Sequence, residues 1–173
     1  NYNTVVGDEA GTALTTGDGN VAVGFEALKT EDANGESTAI GYQALKTQNA
    51  GISGLNVAVG YKAGAAVTTG TINTLIGALA GDALTTGNSN VAVGHTALSA
   101  DTLGDRNVAI GNNALAQQNF TSSTDSYNVA IGYVAGGSVT TGVQNTLIGG
   151  LAGDAITTGN SNAALGYGAL GSN

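Results

Sequence analysis

The chain has 173 residues, of which 29 are glycine, 42% are hydrophobic and 9% are charged, and it contains no proline, cysteine, methionine or tryptophan. This much hydrophobicity with so little charge argues against a disordered linker, and the lack of cysteine excludes disulfides and thiolate metal sites. The net charge of −8, with four basic residues, argues against binding to nucleic acid or to an anionic membrane surface. No apolar run approaches the ~20 residues of a membrane span, so we expect no membrane insertion.

The pattern Asn-aliphatic-Ala-aliphatic-Gly occurs ten times, and most copies start 17 residues after the previous one. A short fixed period is typical of a solenoid, in which each turn buries its apolar side by stacking on its neighbours. The sequence therefore predicts an all-β parallel β-solenoid of ten coils of about 17 residues, a single repeat domain over residues 1–173. We expect it to be a segment of a longer fibrous protein. Coils 1 to 10 open, at their position 1, with Asn3, Asn20, Ser37, Asn56, Asn73, Asn90, Asn107, Asn128, Asn145 and Asn162.

Positions 2 to 4 of each coil form the predicted strand. Position 4 is a branched aliphatic residue in every coil, position 2 is Val or Thr in nine coils, and position 3 is Ala in seven. Because side chains alternate between the two faces of a strand, both faces are apolar. One face must line the interior of the coil, and the other must meet something further, for which another copy of the chain is the simplest candidate.

Three further positions are nearly invariant along the chain. Position 5 is Gly in all ten coils, which predicts a positive φ or a backbone approach too close for a Cβ atom. Position 1 is Asn in nine coils, and we expect stacked Asn side chains to hydrogen-bond to the adjacent coils and to turn backbone. Position 8 is Ala in all ten, which indicates a second tightly packed short strand or a corner.

The second half of the coil has two forms. In one, Gly at position 9 is followed by an aliphatic residue before Thr-Thr-Gly; in the other, Leu itself occupies position 9. Each coil thus supplies one large aliphatic side chain, early or late, which we expect to fill the same interior. Coils 3 and 7 are longer than 17 residues by two and by four, and the extra residues of a solenoid form loops on one flank, where binding often occurs. These flank loops, residues 46–55 and 116–127, are predicted to be exposed, and their candidate contact residues are Asn49, Ser53, Gln118, Phe120 and Asp125.

Position 6 carries the candidate site. Planar rings beside amides suit a carbohydrate, whose apolar face stacks on an aromatic ring while its hydroxyls find polar partners. The alternative is that these rings seal the seam between neighbouring chains or coils. His95 is the only histidine, and the carboxylates are scattered without an obvious inward pair, so we expect no enzyme, no cofactor and no metal. The candidate contact residues of this column are Phe25, Tyr42, Tyr61, His95, Tyr133 and Tyr167.

The units that open at Asn20, Ser37 and Asn107 and run to Leu28, Leu45 and Leu115 resemble the Asn-Ser-Val-Ala-Ile-Gly head repeats of YadA-like trimeric autotransporter adhesins. Similar longer units occur in bacteriophage tail-fibre proteins, and the resemblance covers essentially the whole chain. It implies a left-handed parallel β-roll, three chains packed side by side, an extracellular location and a role in attachment. On this basis we expect a homotrimer with the position-3 alanines towards the shared axis.

The resemblance leads us to expect a non-enzymatic segment of a phage tail fibre that displays a surface for a host polysaccharide or protein receptor. The alternative is the head domain of a bacterial trimeric adhesin, on the bacterial cell surface. A third alternative is an ice-binding solenoid, because Thr-Thr pairs recur along the chain. These pairs occur in only five coils, with two-coil gaps, and so form no unbroken array on one chain.

Overall fold

The computed structural model describes residues 2–33 and 35–171, and in that part of the chain it contains β-strands and no helix. Ten strands form one parallel sheet, in the order β1-β2-β3-β4-β5-β6-β8-β10-β11-β12, and β7 pairs with β9 in a second parallel sheet. The strands are β1 (Thr4–Val6), β2 (Val21–Val23), β3 (Thr38–Ile40), β4 (Val57–Val59), β5 (Thr74–Ile76), β6 (Val91–Val93), β7 (Gly104–Asp105), β8 (Val108–Ile110), β9 (Thr124–Asp125), β10 (Val129–Ile131), β11 (Thr146–Ile148) and β12 (Ala163–Leu165).

Each strand of the large sheet stacks in register on the strand of the next coil. Val91 pairs with Val108, Ala92 with Ala109 and Val93 with Ile110, so position 2 lies over position 2 throughout. The extra residues of coil 7 do not disturb this register, since Ala109 still pairs with Ala130. At ~4.8 Å per coil, ten stacked strands span roughly 45 Å. The prediction of a parallel β-solenoid is therefore confirmed.

Position 3 points into the coil. Ala92 and Ala109 have no exposed surface, and neither does the larger Leu75. Positions 2 and 4 point outward, and Val91 and Val93 are only half-buried. The expectation that the position-3 alanines face a shared axis is therefore wrong. The reason is the space available, because the core of each coil already holds the position-8 alanine and one large aliphatic side chain, which leaves room for a small residue at position 3 in most coils.

The large aliphatic side chains fill the interior from two alternative positions, as the sequence predicted. Leu28, Leu45, Leu98 and Leu115 enter from position 9, whereas Val67, Leu84 and Val139 enter from position 12, and all seven are fully buried. Position 8 forms a corner and not a second strand, as the backbone N–H of Ala97 donates to the carbonyl of Gly94 across a tight turn. The fold thus has one three-residue strand per coil, with the additional short strands β7 and β9 in coils 6 and 7, and a narrow, continuous apolar core.

The stacked asparagines form the predicted ladder. The Nδ2 of Asn73 donates to the carbonyl of Gly87 in its own coil at 2.9 Å, and its Oδ1 accepts from the backbone N–H of Asn90 at 2.9 Å. A side-chain oxygen at position 1 accepts from the next coil's backbone N–H at all nine junctions, with the Ser37 hydroxyl serving at one of them. This asparagine ladder provides hydrogen-bond partners for buried backbone groups that the three-residue strands leave unpaired.

Candidate functional site

The first half of the position-6 column is a stack of aromatic rings. The ring centroids of Phe25 and Tyr42 lie 5.3 Å apart and those of Tyr42 and Tyr61 lie 5.4 Å apart, with interplanar angles of 19° and 13°. These three residues, which we call the ring ladder, are 36%, 43% and 50% exposed. Its two neighbours cover both faces of the central Tyr42 ring, and the Lys62 ammonium lies 5.5 Å from the centroid of the Tyr61 ring.

An ion-pair cluster lies beside the ring ladder. The carboxylate of Glu26 accepts hydrogen bonds from the Lys29 ammonium at 2.7 Å and from the Gln43 amide at 2.6 Å, and it pairs with the Lys46 ammonium at 2.6 Å. The Lys29 and Lys46 ammonium groups hold the pKa of Glu26 down to about 2. Lys29 also pairs with Glu9. The charges compensate one another, so this surface is not a free basic patch.

The second half of the position-6 column is built differently. Its residues from coil 6 to coil 10 are His95, Asn112, Tyr133, Gly150 and Tyr167. Tyr133 is 61% exposed, more than any member of the ring ladder, and its neighbours in the column are an amide on one side and a glycine on the other. In residues 35–171 no ring stacks on that of Tyr133. The structure therefore does not join the six position-6 candidates into one continuous stack.

Polar side chains connect coils 6 and 7 below Tyr133. The Thr96 hydroxyl lies 3.3 Å from Nδ1 of His95 and donates to Oδ1 of Asn113. The Nδ2 of Asn113 in turn donates to Oδ1 of Asn112 at 2.7 Å. His95 and Asn112 are exposed, so this chain of polar groups holds an imidazole and an amide at the surface.

In the first flank loop, Asn49 and Ser53 are exposed, as predicted. Ser53 lies at the rim of a shallow cleft that is also lined by Thr16, Asp18, Ala33, Gly35 and Glu36. The apolar side chains of Ile52 and Leu55 in the same loop are exposed as well. This loop therefore offers both polar and apolar surface to a partner.

In the second flank loop, Asp125 is exposed and pairs with Arg106, whose guanidinium carbon lies 5.8 Å from the centroid of the Tyr127 ring. The prediction that Gln118 and Phe120 are exposed contact residues is wrong, since both are buried. Gln118 occupies position 12, which is buried in coils 2 to 8, and Phe120 is only 6% exposed. Of the loop candidates, Asn49, Ser53 and Asp125 remain available at the surface.

Two buried polar clusters were missed at the sequence level. In one, the Gln118 amide donates to Oδ2 of Asp101 at 2.6 Å and accepts from Nδ2 of Asn128 at 2.8 Å. In the other, Gln48 makes the same two contacts with Glu31 and Asn56. The signal was present in the order of the two coil forms, which we call Leu-type and Gly-type after the residue at position 9. Coils 2 and 3 and coils 6 and 7 are pairs of Leu-type coils, and in each pair the first has an acidic residue at position 12 and the second has Gln. The hydrogen bonds make these residues part of the core, and burial raises the pKa of Asp101.

In the described residues, no group of three or more His, Cys, Asp or Glu side chains could hold a metal ion. Nor does that part of the chain contain a helix able to cross a membrane.

In four of the Thr-Thr pairs, the hydroxyl of the first threonine donates to a backbone carbonyl of the next coil. The Thr68 hydroxyl donates to the carbonyl of Thr85 at 3.1 Å, and the Thr85 hydroxyl donates to the carbonyl of Thr102 at 3.0 Å. Thr140 makes the same contact with Thr157. These hydroxyls bind the next coil, which leaves fewer groups for an ordered array of water.

Comparison of the chain with models of known protein families, with curated proteins and with solved structures finds no match.

Proposed function

We propose that this chain is a non-enzymatic structural and attachment segment of a bacteriophage tail fibre, located outside the cell and built as a side-by-side homotrimer of left-handed coils. The head domain of a bacterial trimeric adhesin is the alternative. The observation that carries the proposal is the outward face of the ten-stranded sheet. It presents a Val/Thr column at position 2 and a Val/Ile column at position 4 through coils 1 to 9, and Ala163 and Leu165 take these positions in coil 10.

The size of this face favours a partner. Three residues of a strand are about 10 Å wide, and a stack of roughly 45 Å gives an outward area of about 450 Å². Contiguous apolar patches of this size on a monomer commonly mark interaction surfaces. A partner of the same length and symmetry can cover a straight aliphatic stripe fully, and a second copy of the chain has both properties.

The strand face alone is smaller than a stable interface requires. Standard interfaces bury about 800 Å² on each partner, so the contact must extend beyond positions 2 and 4. Exposed apolar residues just before position 1 can supply the remainder, since Leu55, Ile72 and Tyr127 each lie two residues before an outward strand residue. We place the contact between chains on the strand face and this neighbouring column, which leaves position 6 outside it.

The proposal is tested by measuring the mass of the isolated segment with sedimentation equilibrium and native mass spectrometry. A trimer at micromolar concentration is the expected result. A folded monomer with unchanged β-sheet circular dichroism at that concentration would overturn the trimeric proposal. The flanking sequence decides which class of protein contains this segment. A chaperone endpiece argues for the phage tail fibre, and a C-terminal membrane barrel argues for the bacterial adhesin.

Attachment itself is tested separately, with fluorescently labelled segment and a panel of bacterial isolates. Saturable binding to some isolates and not to others is expected of a receptor-binding fibre. Replacement of Tyr42, Tyr61 and Tyr133 together with Ala distinguishes the two roles of the position-6 rings. Loss of cell binding with an unchanged subunit number supports a contact surface, whereas loss of the trimer supports a seam between chains.

A further inference from the structure

We propose that the glycan-binding site of this segment is the surface formed by His95, Thr96, Asn112, Asn113 and Tyr133, here called the Tyr133 surface, and that it takes a neutral sugar. The inference rests on the proposed attachment function and narrows it to one site and one class of ligand. It assigns the ring ladder of coils 2 to 4 to stability and not to binding.

The accessibility of ring faces separates the two halves of the position-6 column. A pyranose packs its apolar C–H face against the face of an aromatic ring, so an open ring face is required. In the ring ladder, centroid separations of 5.3 and 5.4 Å leave the central ring of Tyr42 covered on both faces. Tyr133 is 61% exposed and has Asn112 and Gly150 in place of rings as its column neighbours. Tyr133 can therefore stack on a sugar, whereas Tyr42 cannot.

Hydrogen-bonding groups are fixed on the side of Tyr133 that faces coil 7. The Oδ1 of Asn112 accepts a hydrogen bond from Asn113 at 2.7 Å, which orients the exposed amide of Asn112. Its Nδ2 donor takes no part in this hydrogen bond. Asn113 is itself held by the Thr96 hydroxyl, which also lies 3.3 Å from Nδ1 of the exposed His95, so Nε2 is the ring nitrogen that takes no part in this group of contacts. Side chains held by their neighbours lose little conformational entropy when a ligand binds.

The spacing suits an oligosaccharide that lies along the rod. Tyr133, Asn112 and His95 occupy the same position in three successive coils, so the first and the last are about 10 Å apart. A ligand on this line meets a ring face, then an amide, then an imidazole. Contacts of these three kinds together define a sugar subsite better than any one of them alone.

The local charge selects a neutral ligand. Positions 6, 7 and 10 of coils 6 to 8 contain no Lys, Arg, Asp or Glu, and Arg106 of coil 6 is paired with Asp125 in the flank loop. An acidic sugar would find no free cation there and would be repelled by a chain of net charge −8. The three lysines of the chain lie in coils 2 to 4 instead, two of them paired with glutamates.

The test compares the intact segment with Tyr133→Ala, Asn112→Ala and Tyr42→Ala on a printed array of neutral and acidic bacterial surface glycans. We expect the wild type to bind neutral glycans, Tyr133→Ala to weaken that binding about tenfold or more, and Asn112→Ala to weaken it severalfold. Tyr42→Ala is the matched control and should change affinity less than twofold while lowering the melting temperature. Circular dichroism establishes that the Tyr133 and Asn112 variants remain folded, which we expect because both side chains are exposed.

Each other outcome decides against the proposal. The proposal is overturned if Tyr133→Ala retains glycan binding or if Tyr42→Ala loses as much affinity as Tyr133→Ala does. It is also overturned if the wild type binds only acidic glycans or binds no glycan. The proposed attachment function fails or survives independently, because it is read from binding to whole cells. Cell binding that persists after periodate oxidation of surface sugars and disappears after protease treatment preserves attachment and eliminates the glycan site.

Discussion

Successive coils approach each other most closely at position 5. Gly94 has a φ of 140°, and a Cβ atom added to it would lie 2.5 Å from the carbonyl oxygen of Gly111 in the next coil. The position therefore excludes a side chain for two independent reasons, one in its own backbone conformation and one in the coil above. The sequence predicted both reasons as alternatives, and the structure combines them.

Replacement of Gly94 with Ala should separate these two contributions when it is compared with two control glycines. Gly166 has a similar φ of 118° and Gly51 has a φ of 72°, but a Cβ atom added to either meets nothing within 4 Å. We expect each control substitution to lower the free energy of unfolding by about 1–3 kcal/mol through backbone strain. Gly94→Ala should lose a further ~2 kcal/mol because the neighbouring backbone must shift. Urea denaturation measures the free energy of unfolding of all three variants. Equal losses in the three would show that the next coil accommodates the added methyl group without a cost in stability.

The asparagine ladder makes a second prediction for a single residue. Asn73 is fully buried, and its removal leaves the carbonyl of Gly87 and the backbone N–H of Asn90 without their partners. Asn73→Ala should therefore lower the free energy of unfolding by about 2–4 kcal/mol, since each unsatisfied buried group costs about 1–3 kcal/mol. Gln117→Ala, at an exposed position, is the control and should change it by less than about 0.5 kcal/mol. A loss of similar size in both variants would remove the ladder as a source of stability.

At the scale of the coil, position 12 alternates between an aliphatic and a polar residue, and both kinds are buried. Val67 and Leu84 occupy it in Gly-type coils, whereas Asp101 and Gln118 occupy it in successive Leu-type coils, where Leu already enters from position 9. The polar residues connect the ladder across the coils that carry the flank loops. There Gln118 links Asp101 to Asn128, so the core remains hydrogen-bonded where the chain is longer than 17 residues.

Buried Asp101 makes the stability of the segment depend on pH with a defined sign. Burial raises its pKa above the ordinary value of 3.8, although the Gln118 amide and the backbone N–H groups of Gly104, Phe120 and Leu103 oppose the shift. The folded chain therefore holds this proton more tightly than the unfolded chain does. The stability due to this group is fully present below about pH 4 and is lost as the pH rises through the raised pKa of the folded state.

We test this with Asp101→Asn, which removes the titrating group at the same size. The free energy of unfolding of the wild type minus that of the variant should fall as the pH rises from 4 towards neutrality, because only the wild type must hold a buried charge. Urea denaturation at several pH values measures this difference, and Asp8→Asn at an exposed position gives the baseline. A difference that rises with pH would mean that the ionised carboxylate is stabilised by its partners in the fold.

The structural role of a coil position could be predicted from the sequence where the residue type at that position has a clear physical explanation. Gly at every position 5 predicts a place without room for a side chain, and Asn at position 1 of nine coils predicts a hydrogen-bonded ladder, and the structure has both. Gln118 and Phe120 were misplaced because a polar or aromatic residue in a long loop is exposed in most proteins, and only the fixed inward direction of position 12 shows that Gln118 is in the core. The site proposed at Tyr133 could not be predicted from the sequence, because it depends on which rings stack in three dimensions.

At the scale of the whole molecule, the sequence predicted two apolar faces, but the expectation that position 3 faces a shared axis is wrong. Alanine fits equally well in a narrow core and in a close contact between chains, so residue size alone does not distinguish the two faces. Burial resolves it, because Ala92 and Ala109 are inside while Val93 and Ile110 are half-buried on the outside. The surface that a second and a third chain would cover therefore consists of the larger branched residues at positions 2 and 4, which provide more apolar area per coil than alanine does.

This arrangement predicts opposite effects for substitutions on the two faces of the same strands. Val93→Glu places a charge on the outward face and should dissociate the proposed trimer while leaving the β-sheet circular dichroism of each chain intact, since a carboxylate at a contact between chains must be desolvated. Ala109→Val instead adds volume inside the coil and should lower the melting temperature by overpacking, at a cost of about 1–3 kcal/mol, without changing the subunit number of the folded fraction. Thr141→Glu, exposed and away from the strand, is the control for added charge. Sedimentation velocity measures the subunit number, and a trimer that survives Val93→Glu would mean that the chains associate through another surface or that the outward valines face solvent in the assembled fibre.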